Sequence, residues 1–126
     1  MIPAEDLMET LLIVDDEKNV ALALKRLLRQ EGYRILTASN GDEGLALLNG
    51  HPVRIVVSDH QMPGMPGLEF LRQVRQRHAA TVRILMSASI DGADVTSAFR
   101  AGDIHGFFSK PWDNAYVKGV VREARS

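Results

Sequence analysis

Residues 54–64 read Arg-Ile-Val-Val-Ser-Asp-His-Gln-Met-Pro-Gly and contain the transition that decides the fold. The apolar run is short and lacks the alternation of a half-exposed strand, which is typical of a strand buried on both faces of a parallel sheet. The run ends at Asp59, and a Pro/Gly-rich loop follows at once. We therefore expect Asp59 to lie where a buried strand leaves the core.

Strand-like and helix-like segments alternate along the rest of the chain. The predicted strands cover residues 10–14, 34–38, 55–59, 83–86 and 106–109. Each is followed by a segment with helical spacing of apolar residues, the first beginning at Asn19. This alternation predicts an α/β, flavodoxin-like (βα)5 fold: a doubly wound, five-stranded parallel sheet with strand order 2-1-3-4-5. At 126 residues we expect a single domain over 1–126, with an N-terminal leader at 1–9.

The composition argues against several classes of protein. The chain has 15 Lys and Arg against 16 Asp and Glu, so its net charge of −1 creates no global field for nucleic acid or an anionic membrane. It has no cysteine, which excludes disulfides and thiolate chemistry, and we find no signal-peptide or membrane-spanning pattern. Arg72, Arg75 and Arg77 are interpreted as a solvated helix face. We expect a cytoplasmic domain that binds neither nucleic acid nor membrane directly.

Polar residues stand at the ends of four of the five predicted strands. Asp15 and Asp16 follow the first, Asp59 ends the third, Ser87 follows the fourth and Lys110 follows the fifth. The carboxyl ends of parallel strands share one edge, and ligands bind there beside the switch point, here between the first and third strands. We therefore expect these side chains to converge on one rim.

Three carboxylates on one rim repel one another, by about 3 kcal/mol per pair at roughly 5 Å and an effective dielectric of about 20. Such a site holds a proton or recruits a cation. Oxygen ligands without His or Cys favour Mg²⁺, or Mn²⁺, over zinc. A carboxylate nucleophile, a divalent ion, a lysine and a hydroxyl resemble the parts that stabilise a phosphoryl group in transfer. The residues thus predict a site that accepts phosphate on Asp59.

Five motifs occur in register along the chain: Asp15-Asp16, Asp59, Met62-Pro63-Gly64, Ser87-Ala88 and Lys110-Pro111. In this order and spacing they resemble the receiver domain of bacterial two-component response regulators along essentially the whole chain. Residues 58–67 and 109–113 are also similar to receivers attached to HD-GYP cyclic-di-GMP phosphodiesterases or sensor modules. The resemblance implies a domain that is not an enzyme in its own right but assists its own phosphorylation and dephosphorylation.

The resemblance also implies roles for the acidic residues. Asp59 would be the phospho-acceptor that takes a phosphoryl group from the phosphohistidine of a sensor histidine kinase or phosphotransfer protein. Asp16 would bind Mg²⁺ (or Mn²⁺) directly and Asp15 through water. Asp59 and the backbone carbonyl of Gln61 would complete the metal site.

Ser87, Lys110 and Phe107 would respond to the new charge. Ser87 would bond a phosphoryl oxygen and Lys110 would pair with it. The shift of Ser87 would make room for Phe107, which takes the place of the family's switch aromatic and can be held inward by packing but not by a phenol hydrogen bond. The face made by the fourth helix, fifth strand and fifth helix would then be presented to an output domain or a downstream protein. The sequence leaves open whether the domain forms a homodimer.

Alternative interpretations apply to single residues and to the whole domain. Ser89 competes with Ser87 as the responding hydroxyl, and His60 is interpreted as an exposed loop residue. The same fold could serve as an interaction module that never takes phosphate. Phosphatases of the haloacid type need an Asp-x-Asp motif, which this chain lacks at both acidic positions. A flavodoxin needs a phosphate-binding loop after the first strand, where this chain has acids.

Overall fold

The computed structural model describes residues 8–126, in which five strands alternate with five helices. The strands are β1 (Thr10–Val14), β2 (Arg34–Ala38), β3 (Ile55–Asp59), β4 (Val82–Ser87) and β5 (Gly106–Ser109). The helices are α1 (Lys18–Arg29), α2 (Gly41–Gly50), α3 (Gly67–Arg77), α4 (Gly92–Ala101) and α5 (Asn114–Arg125). Most of the predicted leader lies outside the described residues. Glu9, the last residue of the predicted leader, lies within the described part of the chain and forms ion pairs with Arg54 and Arg125.

All five strands are parallel and form one sheet in the order β2-β1-β3-β4-β5. The predicted order is therefore confirmed. β3 lies at the centre, where Val57 pairs with Ile13 of β1 on one side and with Ile84 of β4 on the other. Asp59, the last residue of β3, thus leaves the sheet from its middle.

The sheet is covered on both faces, and alternate residues of its central strands point to opposite layers. Leu11 and Ile13 pack in a core with residues of α1 and α5. Leu12 and Val14 pack in a second core with residues of α2, α3 and α4. β1, β3 and β4 are buried along their whole length, whereas the edge strand β2 is partly exposed. The continuous apolar runs in the sequence therefore reflect burial between two helical layers.

The helices differ in how much surface they bury. α1 buries an apolar stripe of Ala21, Leu24, Leu27 and Leu28, whereas α4 buries only Ala98. The Asp91 carboxylate caps α4 by accepting a hydrogen bond from the backbone N–H of Ala93 at 2.9 Å. Among residues 8–126, none of the helices has both the length and the apolar character needed to cross a bilayer.

A cluster of charged side chains lies at the amino end of β4. We call it the Arg83 cluster: Arg72, Arg75, Arg83, Asp103 and His105. Arg72 Nε and Arg75 Nη1 lie 3.1 and 3.0 Å from the two carboxylate oxygens of Asp103. We expected these two arginines to lie on a solvated face of α3. Their side chains are only about half exposed, because each reaches across to Asp103 in the segment between α4 and β5.

Arg83 occupies the centre of this cluster and is 3% exposed. Its guanidinium donates hydrogen bonds to the backbone carbonyls of Ala79, Thr81, Gly102 and Asp103, at 2.9–3.2 Å. Burial lowers the pKa of Arg83, and the nearby Arg75 lowers it further. The bonds from Arg83 join the amino end of β4 to the segment that leads into β5.

Candidate functional site

Four strand ends bring the predicted site residues together at the carboxyl edge of the sheet. We call this group the carboxyl rim: Asp15, Asp16, Asp59, Ser87 and Lys110. Its centre is the Lys110 ammonium, whose Nζ lies 2.8 Å from Asp15 Oδ2 and 3.2 Å from Asp59 Oδ2. The first, third and fifth strands are thus connected by one pair of ionic contacts.

Asp59 is 2% exposed, and its two oxygens have different surroundings. Oδ2 faces Lys110, whereas Oδ1 is the one buried polar side-chain atom without a hydrogen-bond partner among residues 8–126. Burial raises the pKa of Asp59 against the opposing effect of Lys110, and the Asp15 carboxylate raises it further. A buried oxygen without a partner is costly in a purely structural role, so this position favours a ligand or a reaction.

The acidic side chains around Asp59 form a candidate cation site. Carboxylate oxygens of Asp15, Asp16, Glu17 and Asp59 all lie within 4.8 Å of one another. Asp15 is already engaged, because its Oδ1 accepts a hydrogen bond from Glu17 N–H and its Oδ2 binds Lys110. Asp16 is exposed. This oxygen-only set around an unpartnered buried oxygen fits a hard divalent ion such as Mg²⁺.

Glu17 belongs to this cluster, although the sequence did not single it out as a ligand. Its carboxylate is 65% exposed and lies 3.8 Å from Lys110 Nζ. The run Asp15-Asp16-Glu17 could have indicated a third acidic ligand. However, an acid at the start of a helix is also expected from its favourable interaction with the helix dipole.

Lys110 holds a fixed positive charge at the rim. Burial alone would lower its pKa, but the hydrogen bond and charge of Asp15 and the charge of Asp59 outweigh burial, and the pKa of Lys110 is raised. One cation therefore faces two buried carboxylates, so the rim carries an excess of negative charge without a further cation.

Ser87, the member of the carboxyl rim that ends β4, is 1% exposed. Its hydroxyl donates a hydrogen bond to Gln61 Oε1 at 2.8 Å. It also accepts hydrogen bonds from the backbone N–H groups of Ser89 and Ile90, at 3.2 and 3.1 Å. The sequence does not predict this contact between Ser87 and the Gln61 side chain.

Gly67, the first residue of α3, supports Asp59 from behind. A Cβ atom at Gly67 would collide with the backbone carbonyl oxygen of Asp59 and with His60 Cα. The Gly67 N–H donates to the His60 carbonyl at 3.0 Å, and His60 Nδ1 accepts a bond from Leu68 N–H at 3.3 Å. His60 is half-buried, so the expectation of an exposed loop residue was wrong: its ring meets the first turn of α3.

The two phenylalanines of β5 face opposite layers, as adjacent strand residues must. Phe108 is buried, and its ring lies 5.9 Å from that of Trp112 in an edge-to-face arrangement. Phe107 is half-buried against the core under α2–α4 and lines a surface groove with Phe99 and Tyr116. Phe99 and Tyr116 are 43% and 58% exposed, so the groove presents aromatic surface.

Comparisons with known proteins agree with this geometry. The family model for the response regulator receiver domain matches residues 11–122. The chain is 40% identical to the hydrogenase transcriptional regulatory protein HoxA of Cupriavidus necator over 94% of its own length. It spans about a quarter (24%) of that relative.

Solved structures give the same result. The receiver domain of an HD domain-containing protein from Pseudomonas fluorescens Pf-5 is 29% identical, with a TM-score of 0.86 over 94% of this chain and 87% of that one. The response regulator TrrA from Thermotoga maritima, solved in complex with Mg²⁺ and BeF, is 31% identical, with a TM-score of 0.81 over 93% and 99%.

The parallel sheet with this strand order and the likeness to these solved structures place the chain in the class of receiver-like domains. The match over residues 11–122 is specific: the chain belongs to the response regulator receiver domain family of two-component systems.

Proposed function

We propose that the domain accepts a phosphoryl group on Asp59 from the phosphohistidine of a histidine kinase or phosphotransfer protein, in a reaction that depends on Mg²⁺. The observation that carries this proposal is Asp59 Oδ1, a buried carboxylate oxygen with no partner among the described residues, beside an acidic cluster and Lys110. In the transfer, Oδ1 donates an electron pair to phosphorus as the bond between phosphorus and the histidine nitrogen breaks. The products are an acyl phosphate and a histidine side chain.

The residues of the rim would divide the work. Lys110 holds Asp59 Oδ2 at 3.2 Å, which leaves Oδ1 free to attack. Asp16, Asp59, the Gln61 carbonyl and, through water, Asp15 would hold the ion. When bound, Mg²⁺ supplies the positive charge that offsets the negative charge of the phosphoryl oxygens. Ser87 would donate its hydroxyl hydrogen to a phosphoryl oxygen.

The response would reach a partner through the face formed by α4, β5 and α5. Support comes from the groove in which half-buried Phe107 lies beside exposed Phe99 and Tyr116. Aromatic side chains of this kind are enriched at protein interfaces. An output domain or a downstream protein would bind this face. Among the similar proteins, HoxA is a transcriptional regulatory protein and the Pseudomonas fluorescens protein contains an HD domain.

The phosphorylation step is tested with a small donor that contains the same kind of bond as phosphohistidine. Phosphoramidate with Mg²⁺ should add one phosphoryl group to the wild-type protein, as measured by intact mass. Asp59→Asn and removal of Mg²⁺ by chelation should each abolish the addition. Asp103→Asn is the matched control, because Asp103 is also a buried, cation-paired aspartate. Equal uptake by wild type and Asp59→Asn would contradict the proposal and favour a module that never takes phosphate on Asp59.

The face is tested by binding the phosphoryl mimic beryllofluoride together with Mg²⁺. NMR spectra should show shifts at the Phe99, Phe107 and Tyr116 signals in the wild-type protein but not in Asp59→Asn. Shifts confined to the carboxyl rim would contradict the assignment of this face.

A further inference from the structure

The Ser87 hydroxyl has a single hydrogen, and the structure shows where that hydrogen is used. A serine hydroxyl donates one hydrogen bond and can accept two. Ser87 Oγ donates to Gln61 Oε1 at 2.8 Å and accepts from Ser89 N–H and Ile90 N–H. All of its hydrogen-bonding capacity is therefore used, and its donor points to a side chain other than Asp59.

We infer that the Gln61 side chain is a latch that holds Ser87 in the resting conformation and opposes the response to charge on Asp59. This inference rests on the proposed function, in which Ser87 donates to a phosphoryl oxygen. That bond cannot form while the only hydroxyl hydrogen is bound to Gln61. Gln61 is thus a positioning residue that acts through Ser87.

The latch joins the loop after β3 to the end of β4, and the described residues show no other side-chain hydrogen bond between these two segments. Gln61 follows β3, and Ser87 ends β4. The Ser87 hydroxyl accepts hydrogen bonds from two backbone N–H groups of the loop before α4. Release of Ser87 from Gln61 would therefore free the start of the loop that leads to α4. Because α4 buries only Ala98, few packing contacts oppose its adjustment.

The competition between the two acceptors determines how strongly the latch holds. The Gln61 amide oxygen is a neutral acceptor on an exposed residue, whereas a phosphoryl oxygen is charged, and charge-assisted hydrogen bonds are roughly twice as strong as neutral ones. The charged acceptor wins once it is present. Before that, a fraction of the molecules is held in the latched state, which weakens the apparent affinity for any ligand that needs the released Ser87.

The test measures the affinity of the intact domain for beryllofluoride at saturating Mg²⁺ in wild type and Gln61→Leu. The substitution removes the acceptor but keeps the backbone carbonyl assigned to the metal site. Loss of one neutral hydrogen bond should tighten binding by about two- to tenfold. Met62→Leu, in the same loop, is the control and should leave the affinity unchanged. In a Ser87→Ala background, Gln61→Leu should have no effect, because the latch is already absent.

A second measurement needs neither metal nor phosphoryl mimic. In the metal-free protein, the Ser89 and Ile90 amides should exchange hydrogen faster in Gln61→Leu than in wild type or Met62→Leu, because Ser87 Oγ is no longer fixed as their acceptor. Unchanged affinity and unchanged exchange would overturn the latch, as would a Gln61→Leu effect that persists in the Ser87→Ala background. Failure of the wild-type protein to bind beryllofluoride would instead overturn the proposed function itself.

Discussion

The two ends of the sheet each bury charge, but they treat it differently. At the amino end of β4, each of the three guanidinium nitrogens of Arg83 donates a hydrogen bond to a backbone carbonyl oxygen. Each carboxylate oxygen of Asp103 forms an ion pair with one arginine. At the carboxyl rim, two buried carboxylates share one lysine, and Asp59 Oδ1 has no partner within residues 8–126.

The pKa shifts follow this contrast. Burial raises the pKa of Asp59, and Lys110 does not offset it. Burial would also raise the pKa of Asp103, but its bonds to Arg72 and Arg75 outweigh burial and the pKa is lowered. A satisfied charge cluster stabilises the fold, whereas an unsatisfied one is available for chemistry. Substitutions at the two ends should therefore have different consequences.

The largest effect on stability is expected at the Arg83 cluster. Arg83→Met would leave four backbone carbonyls without their donor, and we expect the free energy of unfolding to fall by about 3 kcal/mol. Arg83→Lys should recover only part of this loss, since an ammonium cannot reproduce the planar fork. Urea unfolding at pH 7 measures both variants. Stability of Arg83→Met equal to wild type would show that the cluster is not structural.

Magnesium should raise the free energy of unfolding through the carboxyl rim, independently of the Arg83 cluster. At tenfold above its dissociation constant, the ion should add about 1.4 kcal/mol to the free energy of unfolding of the wild-type protein. Asp16→Asn should lose this increment because the exposed carboxylate of the acidic cluster is removed. Asp103→Asn should retain it. Thermal unfolding with and without Mg²⁺ decides the point, and an undiminished response in Asp16→Asn would place the ion elsewhere.

A smaller effect with a defined pH dependence is expected at Asp103. Asp103→Asn should lower stability by about 1 kcal/mol at pH 7, because its arginine partners are half exposed and solvent screens their charge. The folded pKa of Asp103 lies below the unfolded value of about 3.9, so the unfolded state binds protons more readily between the two values.

The stabilisation is therefore complete above the unfolded pKa and disappears as pH falls through the folded pKa. Urea unfolding between neutral and acidic pH should show wild type and Asp103→Asn converging in stability at the acid end. A difference that grows as pH falls has the wrong sign for this account.

The smallest stability effect is expected at the rim. In metal-free protein at pH 7, Asp59→Asn should leave the free energy of unfolding unchanged or raise it by up to about 1 kcal/mol. The substitution removes an anion that burial disfavours, and Lys110 retains its ion pair with Asp15. Urea unfolding of the two proteins in the presence of a chelator checks this. A marked loss of stability would mean that Asp59 is a structural residue like Asp103.

The same contrast explains what the sequence could and could not predict. Asp15, Asp59, Ser87 and Lys110 were found because strand ends of a parallel sheet meet at one edge, so position along the chain fixes position in space. The strand order followed from the alternation of strands and helices, and the burial between two layers followed from the continuous apolar runs in β1, β3 and β4.

The Arg83 cluster was missed because nothing local distinguishes a buried arginine from an exposed one on a strand. Its partners come from Ala79, Thr81, Gly102 and Asp103, and the last two lie about twenty residues away. The bond between Gln61 and Ser87 was missed for a similar reason. A side-chain contact between a loop residue and the end of a neighbouring strand depends on rotamers that spacing does not specify.

The central claim is that the unpartnered oxygen of Asp59 is the atom that receives phosphate. The most direct measurement traps the acyl phosphate by borohydride reduction, which converts a phosphorylated aspartate into homoserine, and locates the product by peptide mass spectrometry. After treatment with phosphoramidate and Mg²⁺, the account predicts homoserine at position 59, and at neither position 15 nor position 103. Homoserine at another aspartate, or a modification that leaves position 59 untouched, would contradict it.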